Sequence, residues 1–465
     1  MNPFLNPVTG LPFIKNFILD PGRLRRLNHK QMERYRDKVL RKAVKYAYTV
    51  PLYHKKYKKA GVHPDDIRGI KDITKLPFVT KKDLVENFPD GVIPVNYNKD
   101  NAYVASTSGS TGKPVSIYTD FSTMAKAFGT TVRNLQIYKL NWRKTRFVNI
   151  GTYLPGRIDM ALEEGFYSEL RAIFSSNRYL RINAFEPIKE IIKKLDTFKP
   201  DIIYTYPVTF QHLAFLKKKG YGKNIKPKLL VSGGYVLDEY TRNYAEEAFG
   251  CKMLNIYPSV ESCADVAFEC MHGTWHIQWD FFHVEAIDKN MELVSPGERG
   301  HIVITRMFGR GTPIIRYTGM DDWVTLSPIY KCNCGLCTPV IEGGVEGRIG
   351  TSVVLPDGRV FPSASFAIVS LVLKDLKTHK VKQFQIVQTK IDEIEILLVI
   401  DDDLRDVAPS VDLIFKKIKE AYEKKVGPDV KITVKEIKEI KSPPNKPAPL
   451  VVSRLKPEDR DKFIL

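Results

Sequence analysis

Cysteine is scarce in this chain of 465 residues: the 6 present are too few and too unevenly spread for a disulfide framework. Long apolar runs are missing as well. No stretch reaches the roughly 18 apolar residues that a membrane-spanning helix needs, and Met1 to Asp20 lacks a charged start followed by an apolar core. These absences predict a cytoplasmic protein with no membrane partner. Acidic residues are also in deficit, 53 against 72 Lys and Arg, which leaves a formal net charge of +19. Such an excess draws polyanions and makes nucleic acid a partner to weigh. Its distribution argues otherwise, because the basic residues are spread along amphipathic helices. In His29 to Tyr48, Met32, Tyr35, Val39, Ala43 and Tyr46 are expected to face the core, and Arg34, Lys38, Arg41, Lys42 and Lys45 the solvent. No zinc-finger, RNP-type or helix-turn-helix signature accompanies them.

What the chain does have is a stretch of concentrated phosphate chemistry. Ala105-Ser106-Thr107-Ser108-Gly109-Ser110-Thr111-Gly112-Lys113-Pro114 holds five hydroxyls, two glycines and one lysine between two strand-like runs. Glycines let backbone N–H groups turn inward, hydroxyls donate to phosphate oxygens, and Lys113 adds a mobile positive charge. It is not a Walker loop, since Thr107 stands at the first glycine's place and Pro114 at the magnesium-binding hydroxyl's. The β-branched, alternating Pro-Val-Ser-Ile-Tyr-Thr that follows predicts a hairpin between strands rather than a helix opening.

Beyond the cradle the pattern alternates helix with strand: helix over Pro187 to Phe198, strand from Asp201, helix over Phe210 to Lys219, strand over Lys228 to Ser232, helix over Asp238 to Phe249, strand over Lys252 to Tyr257. Such units build parallel sheets whose ligands gather at the carboxyl ends of the strands, which singles out Ser232-Gly233-Gly234-Tyr235 and Tyr257-Pro-Ser-Val-Glu261. From Gly350 the pattern becomes a small α+β unit: strands at Val381 to Thr389, Glu393 to Ile400 and Val430 to Ile437, and a helix over Val411 to Val426. The predicted domains are 1–346 and 347–465, with a pivot near Gly347-Arg348. Three cysteines packed into Cys332-Asn-Cys334-Gly-Leu-Cys337 suggest metal ligation, and Cys270 and His276 with Cys332 and Cys334 are candidate ligands for a tetrahedral Cys3His zinc site. Cys337 and His272 are the rival ligands.

Ser-Thr-Ser-Gly-Ser-Thr-Gly-Lys-Pro resembles the phosphate loop of the adenylate-forming enzymes. Val39 through Leu84, with Asp-Ile-Thr-Lys-Leu-Pro-Phe-Val-Thr-Lys-Lys-Asp-Leu, resembles the phenylacetate-CoA ligase branch, which includes CapK-like proteins and coenzyme F390 synthetases. The likeness runs from about Leu27 to Ser453. It implies an α/β large N-terminal domain of the adenylate-forming type, carrying a zinc subsite, with a small, mobile α+β C-terminal lid domain. It also implies that a carboxylic acid and ATP give acyl-AMP and pyrophosphate, after which a nucleophile, foremost coenzyme A, displaces AMP. An amide-forming ligase, an F390-type adenylyltransferase and a non-catalytic ATP- or AMP-binding protein are the alternatives. The expected cofactors are ATP, Mg2+ and a structural Zn2+. The expected partners are a small or aromatic acid and CoA, with a second copy of the chain left open.

By the same resemblance the cradle residues Ser106, Thr107, Ser108, Gly109, Ser110, Thr111 and Gly112 hold ATP phosphates with Lys113. Ser232, Gly233, Gly234 and Tyr235 line the adenine pocket. Tyr257 packs on the adenine, Ser259 contacts phosphate and Glu261 binds magnesium. Asp321, with Asp322 as competitor, and Arg348 belong near the ribose. Asn149, Gly151, Tyr153 and Tyr206 fall where the acyl pocket is expected, and Lys446 where a catalytic lysine bridges carboxylate and α-phosphate, with Lys441 and Lys456 nearby. Pro258, Val260, Tyr235, Met320 and Asn445 depart from the family pattern.

Overall fold

The computed structural model describes residues 3–107, 113–141, 143–173, 177–441, 443 and 448–456. Its frame is a 12-stranded mixed sheet. At one end Tyr179–Asn183, Phe147–Gly151, Ile202–Thr205, Leu229–Ser232 and Met253–Pro258 run parallel. The sheet continues antiparallel through Asp265–Glu269, Trp275–Ile277 and Cys337–Ile341 to Asp322–Lys331, Arg299–Arg306 and Phe282–Ile287. The parallel strands read as short apolar runs, Leu-Leu-Val and Ile-Ile, because helices cover them. Helices Ile188–Phe198, Pro207–Lys218 and Glu239–Phe249 supply Ile191, Leu195, Phe210, Leu213 and Ala245 to a core with Val148, Ile203 and Leu230. The predicted alternation is thereby realised as βα units, whose loops all rise on one edge.

The phosphate-cradle segment does join two antiparallel strands, Ala102–Ser106 and Ser116–Asp120. Helix His29–Tyr48 starts at an Asn28 capping box but buries a different stripe from the expected one: Met32, Arg36, Leu40, Val44 and Ala47. Tyr35, Val39, Ala43 and Tyr46 flank it and are only half-buried. The expected stripe left out Arg36, which is buried. Its guanidinium instead lies over the Trp279 ring at 4.8 Å and meets His283 Nδ1 at 3.0 Å, the stem filling core space that an aliphatic residue would otherwise occupy.

The C-terminal unit has its own four-stranded sheet, in the order Lys431–Glu436, Glu393–Ile400, Val381–Lys390, Val451–Ser453, under helix Val411–Val426. Ile386, Ile396, Leu398, Ile414, Ile418 and Tyr422 form a separate core. Gly347–Arg348, where the pivot is expected, pairs with Asp322–Trp323 of the large sheet. Tyr240 of the large unit donates to the Val381 carbonyl at 2.8 Å, and His379 meets Glu247 at 3.0 Å, tying the two units together. Among the described residues no helix is long and apolar enough to cross a membrane.

Candidate active site

The loops at the carboxyl ends of the parallel strands and the face of the C-terminal unit enclose a cavity of about 810 Å³. Of the expected site residues, Ser106, Thr107, Asn149, Tyr206, Gly234, Tyr235, Tyr257, Ser259, Glu261, Asp321 and Arg348 line it. Gly151, Tyr153, Ser232, Gly233 and Lys113 are not part of that lining. Ser108, Gly109, Ser110, Thr111, Gly112 and Lys446 lie outside the described residues.

The cradle's base is well formed. Thr107 N donates to Val115 O at 2.8 Å, Val115 N returns a bond to Thr107 Oγ1 at 2.9 Å, and Ser106 and Ser116 hydroxyls meet at 2.7 Å. Lys113 is exposed. Across the cavity, Tyr257 continues the last parallel strand and donates its hydroxyl to Asp322 Oδ2 at 2.5 Å. Glu261, three residues beyond the strand end, is buried and accepts from Tyr317 Oη at 3.1 Å. Burial raises the Glu261 pKa, opposed by the Tyr317 bond and by Arg348 and Lys81. Asp322 is likewise raised, to about 6, by burial. Arg348 suffers the same desolvation, but the nearby carboxylates of Asp322 and Glu261 more than restore its charge. Two acids held short of full compensation and one arginine thus share a wall, an arrangement suited to a ligand with its own cation and its own anion.

Ser259 and Ser262 close a tight turn, Ser262 N donating to Ser259 Oγ at 3.0 Å, which turns Val260 to the cavity. Gly234 adopts φ +79, and a Cβ there would sit 3.3 Å from the Tyr206 ring, so the glycine lets the backbone pass that ring. Gly151 serves another carboxylate: a Cβ would lie 2.9 Å from Asp159 Oδ2, which accepts from Thr152 N at 2.8 Å. Tyr153 turns behind the wall, its hydroxyl 3.4 Å from that of Tyr179. Asn149 does reach the cavity, and its buried Oδ1 has no hydrogen-bond partner among the described residues.

Away from this cleft, the ligand atoms of Cys270, His276, Cys332 and Cys334 all lie within 4.8 Å of one another. Cys270 and Cys332 sulfurs are 3.8 Å apart, and Cys334 Sγ is 3.2 Å from His276 Nε2. A Zn–S bond of ~2.3 Å in a tetrahedron puts two sulfurs about 3.8 Å apart, so the donor set and its spacing fit zinc. His276 Nδ1 is held by Thr338 Oγ1 at 2.9 Å, which leaves Nε2 toward the sulfurs. The rivals Cys337 and His272 are exposed and outside the cluster.

No family model matches the chain. Curated relatives do: the phenylacetate-coenzyme A ligase of Pseudomonas putida is 27% identical over 355 residues, covering 72% of this chain and 74% of that protein. The enzyme of that name from Thermus thermophilus is 25% identical over 437 residues, 89% and 93% of the two chains. The chain is a homologue of the phenylacetate-coenzyme A ligases. Among solved structures, 2-hydroxyisobutyryl-CoA ligase in its postadenylation state matches with a TM-score of 0.77 at 18% identity, over 95% of this chain and 93% of that one. Anthranilate CoA ligase AuaEII with anthranoyl-AMP matches at 0.52 and 13% identity, over 82% and 74%. The fold is therefore that of the adenylate-forming CoA ligases.

Against its ligase relatives' likeness, several cavity residues of this homologue were not foreseen. Lys81, Asn134, Asp159 and Asp265 all line it. Asp322 was weighed only as a rival to Asp321, yet it is the one bonded to Tyr257. Helix Phe121–Ile137 carried the best missed signal: Thr130, Thr131 and Asn134 interrupt its buried face, and polar residues there need partners or a ligand.

Proposed function

We propose that this chain is an adenylate-forming ligase that activates a carboxylic acid with ATP and transfers the acyl group to coenzyme A. The observation that carries the reading is the convergence of Ser106–Thr107, the Tyr257–Asp322 pair, the Glu261–Tyr317 pair and Arg348 on one cavity at the strand ends. An acid oxygen attacks the α-phosphorus, the bond to pyrophosphate breaks and an acyl–AMP anhydride forms. A thiol sulfur then attacks the acyl carbon, a thioester forms and AMP leaves.

Each residue has a physical task. The Tyr257 ring presents a face for the adenine, and its hydroxyl orients Asp322, whose carboxylate accepts from ribose hydroxyls. Asp321 neighbours it with φ +56, and Arg348 places positive charge on the same wall. The hairpin cradle and Lys113 take the outer phosphates. Glu261 is a hard oxygen donor in a site short of positive charge, which fits Mg2+; bound there, that ion would neutralise charge on the phosphates. Zinc held by Cys270, His276, Cys332 and Cys334 would be structural, since four protein ligands leave no open position.

The deciding experiment is isotope exchange between pyrophosphate and ATP with CoA omitted. Exchange that depends on added acid supports the ligase, whereas ATP binding without exchange for any acid rejects it. Thioester formation when CoA is restored separates CoA from an amine or hydroxyl acceptor. Lys446 extends the reading: an ammonium on a flexible stem suits the charge that develops on both carboxylate and phosphate oxygens. Lys446→Ala is expected to slow adenylation by about 100-fold or more, the scale of losing one transition-state donor, while thioester formation from supplied acyl-AMP continues. Wild-type adenylation in that variant would move the role to Lys441.

A further inference from the structure

The deep arm of the cavity contains a carboxyl group that neither nucleotide binding nor adenylation requires. Asp265 begins the strand Asp265–Glu269 and faces the cavity beside Asn134, Tyr138, Tyr167 and Tyr204. Among the described residues it forms no ion pair. Asp159, the other acid of this arm, differs in being stapled to Thr152 N.

A directed chain of hydrogen bonds ends on Asp265. Arg133, fully buried and fixed by Asp280 at 2.8 Å, donates to Gln278 Oε1 at 2.5 Å. Gln278 Nε2 donates to Asn134 Oδ1 at 3.0 Å, which leaves Asn134 Nδ2 to donate to Asp265 Oδ2 at 2.9 Å. Each amide is oriented by the one before it, so the chain carries donor character from a guanidinium to the cavity wall. Burying three such side chains is costly unless every group is satisfied, and the series terminates at a carboxylate that faces open space. A donor delivered to Asp265 favours its ionised form, and what an ionised carboxylate in an aromatic surround lacks is a cation. A neutral hydroxyl ligand would be served equally well by an amide there. Aromatic rings beside the carboxylate add to the case, because Tyr and Phe faces attract ammonium groups.

We propose that the acid activated by this enzyme carries an aliphatic amine, and that Asp265 binds its ammonium group. The inference rests on the ligase reading and names the substrate class of the same site. Burial now holds the Asp265 pKa at about 7 against the single opposing bond from Asn134. The groups that face it add no positive charge: burial, with the Asp265 charge as a further cause, raises the pKa of Tyr138, Tyr167 and Tyr204. Ammonium binding therefore requires Asp265 to lose its proton, and preference for the amine should grow as pH rises through about 7.

The test compares matched acids in pyrophosphate exchange: ω-amino, ω-hydroxy and ω-methyl aliphatic acids of equal length, and aminomethyl-, hydroxymethyl- and ethyl-substituted phenylacetates. The amine should exceed its carbon isostere in kcat/KM by at least about tenfold, the low end for a desolvated charge pair. That ratio should rise with pH in the wild type. Asp265→Asn should collapse the ratio toward 1 and abolish its pH dependence, and a melting temperature near wild type confirms that the variant is folded; Asp265→Leu should invert the ratio. If hydroxyl or carbon isosteres match or surpass the amines, the proposal is overturned while the ligase reading stands. If no acid supports exchange, the ligase reading itself falls.

Discussion

Glu261→Gln is expected to lower acid-dependent pyrophosphate exchange by about two to three orders of magnitude without destabilising the protein, on the scale seen when one preorganised charge contact is removed. The substitution keeps the shape of the side chain, and the Tyr317 hydroxyl can still donate to the amide oxygen at the 3.1 Å position. What it removes is the charge. Since burial raises the Glu261 pKa, its ionised form is a liability to the folded chain. An acid with a raised folded pKa contributes fully to stability below its ordinary value, and that contribution is lost as pH rises through the folded value. At neutral pH the glutamine variant should therefore melt at or above the wild-type temperature, and the advantage should vanish near pH 4. Activity and stability thus move apart, as expected of a group kept for a ligand. Lys113→Met should fall less, because the cradle's backbone donors survive it. Exchange at the wild-type rate in Glu261→Gln would remove the residue from the mechanism.

Most of this architecture was legible because local rules and global fold agree along the chain. Helix Glu239–Phe249 is bounded by an Asp238 cap and by Gly250 in the left-handed region, both visible as residue types. The strands Leu229–Ser232 and Met253–Pro258 were readable as short apolar runs between helical periods, and their ends then located Gly234, Tyr257 and Glu261. The failures share another character. Arg36 and Arg133 are charged residues on helices, and nothing within a helical period says that Trp279, His283 or Asp280 will arrive from 147 or more positions away, as the Arg133–Asp280 pair does. Asp265 was missed for the same reason. Its partner Asn134 lies 131 residues earlier, and only the packing of helix Phe121–Ile137 on the strand brings them together. Pairings of long sequence separation leave no periodic trace, and buried polar networks consist of little else.

The zinc cluster should give the largest structural effect. Protein purified without chelator is expected to carry about one zinc per chain, because a closed Cys3His set binds a single ion tightly. Cys332 sits in a tight knuckle, its N–H on Leu336 O at 2.9 Å and its carbonyl accepting from Gly335 N at 3.0 Å. Cys270 and His276 bracket the turn between Asp265–Glu269 and Trp275–Ile277, and the latter pairs with Cys337–Ile341. The metal would thus join two loops of one sheet, beside the apolar cluster that Phe268, Trp279 and Leu336 build around Cys270 and Cys332. Structural zinc contributes about 10–16 kcal/mol of binding free energy in small peptides, and even a fraction of that is comparable to a domain's whole stability of about 5–15 kcal/mol. Cys332→Ser should accordingly lose the ion and melt or aggregate well below the wild type. The damage should reach the cleft, since Cys270 lies one residue beyond the strand that begins with Asp265 and nine beyond Glu261. Cys337→Ser is the control: its exposed thiol lies outside the cluster, and that variant should keep both zinc and melting temperature. Metal analysis settles the assignment. No zinc in the wild type ends it, and zinc retained by Cys332→Ser but lost from Cys337→Ser would transfer the ligand role to Cys337.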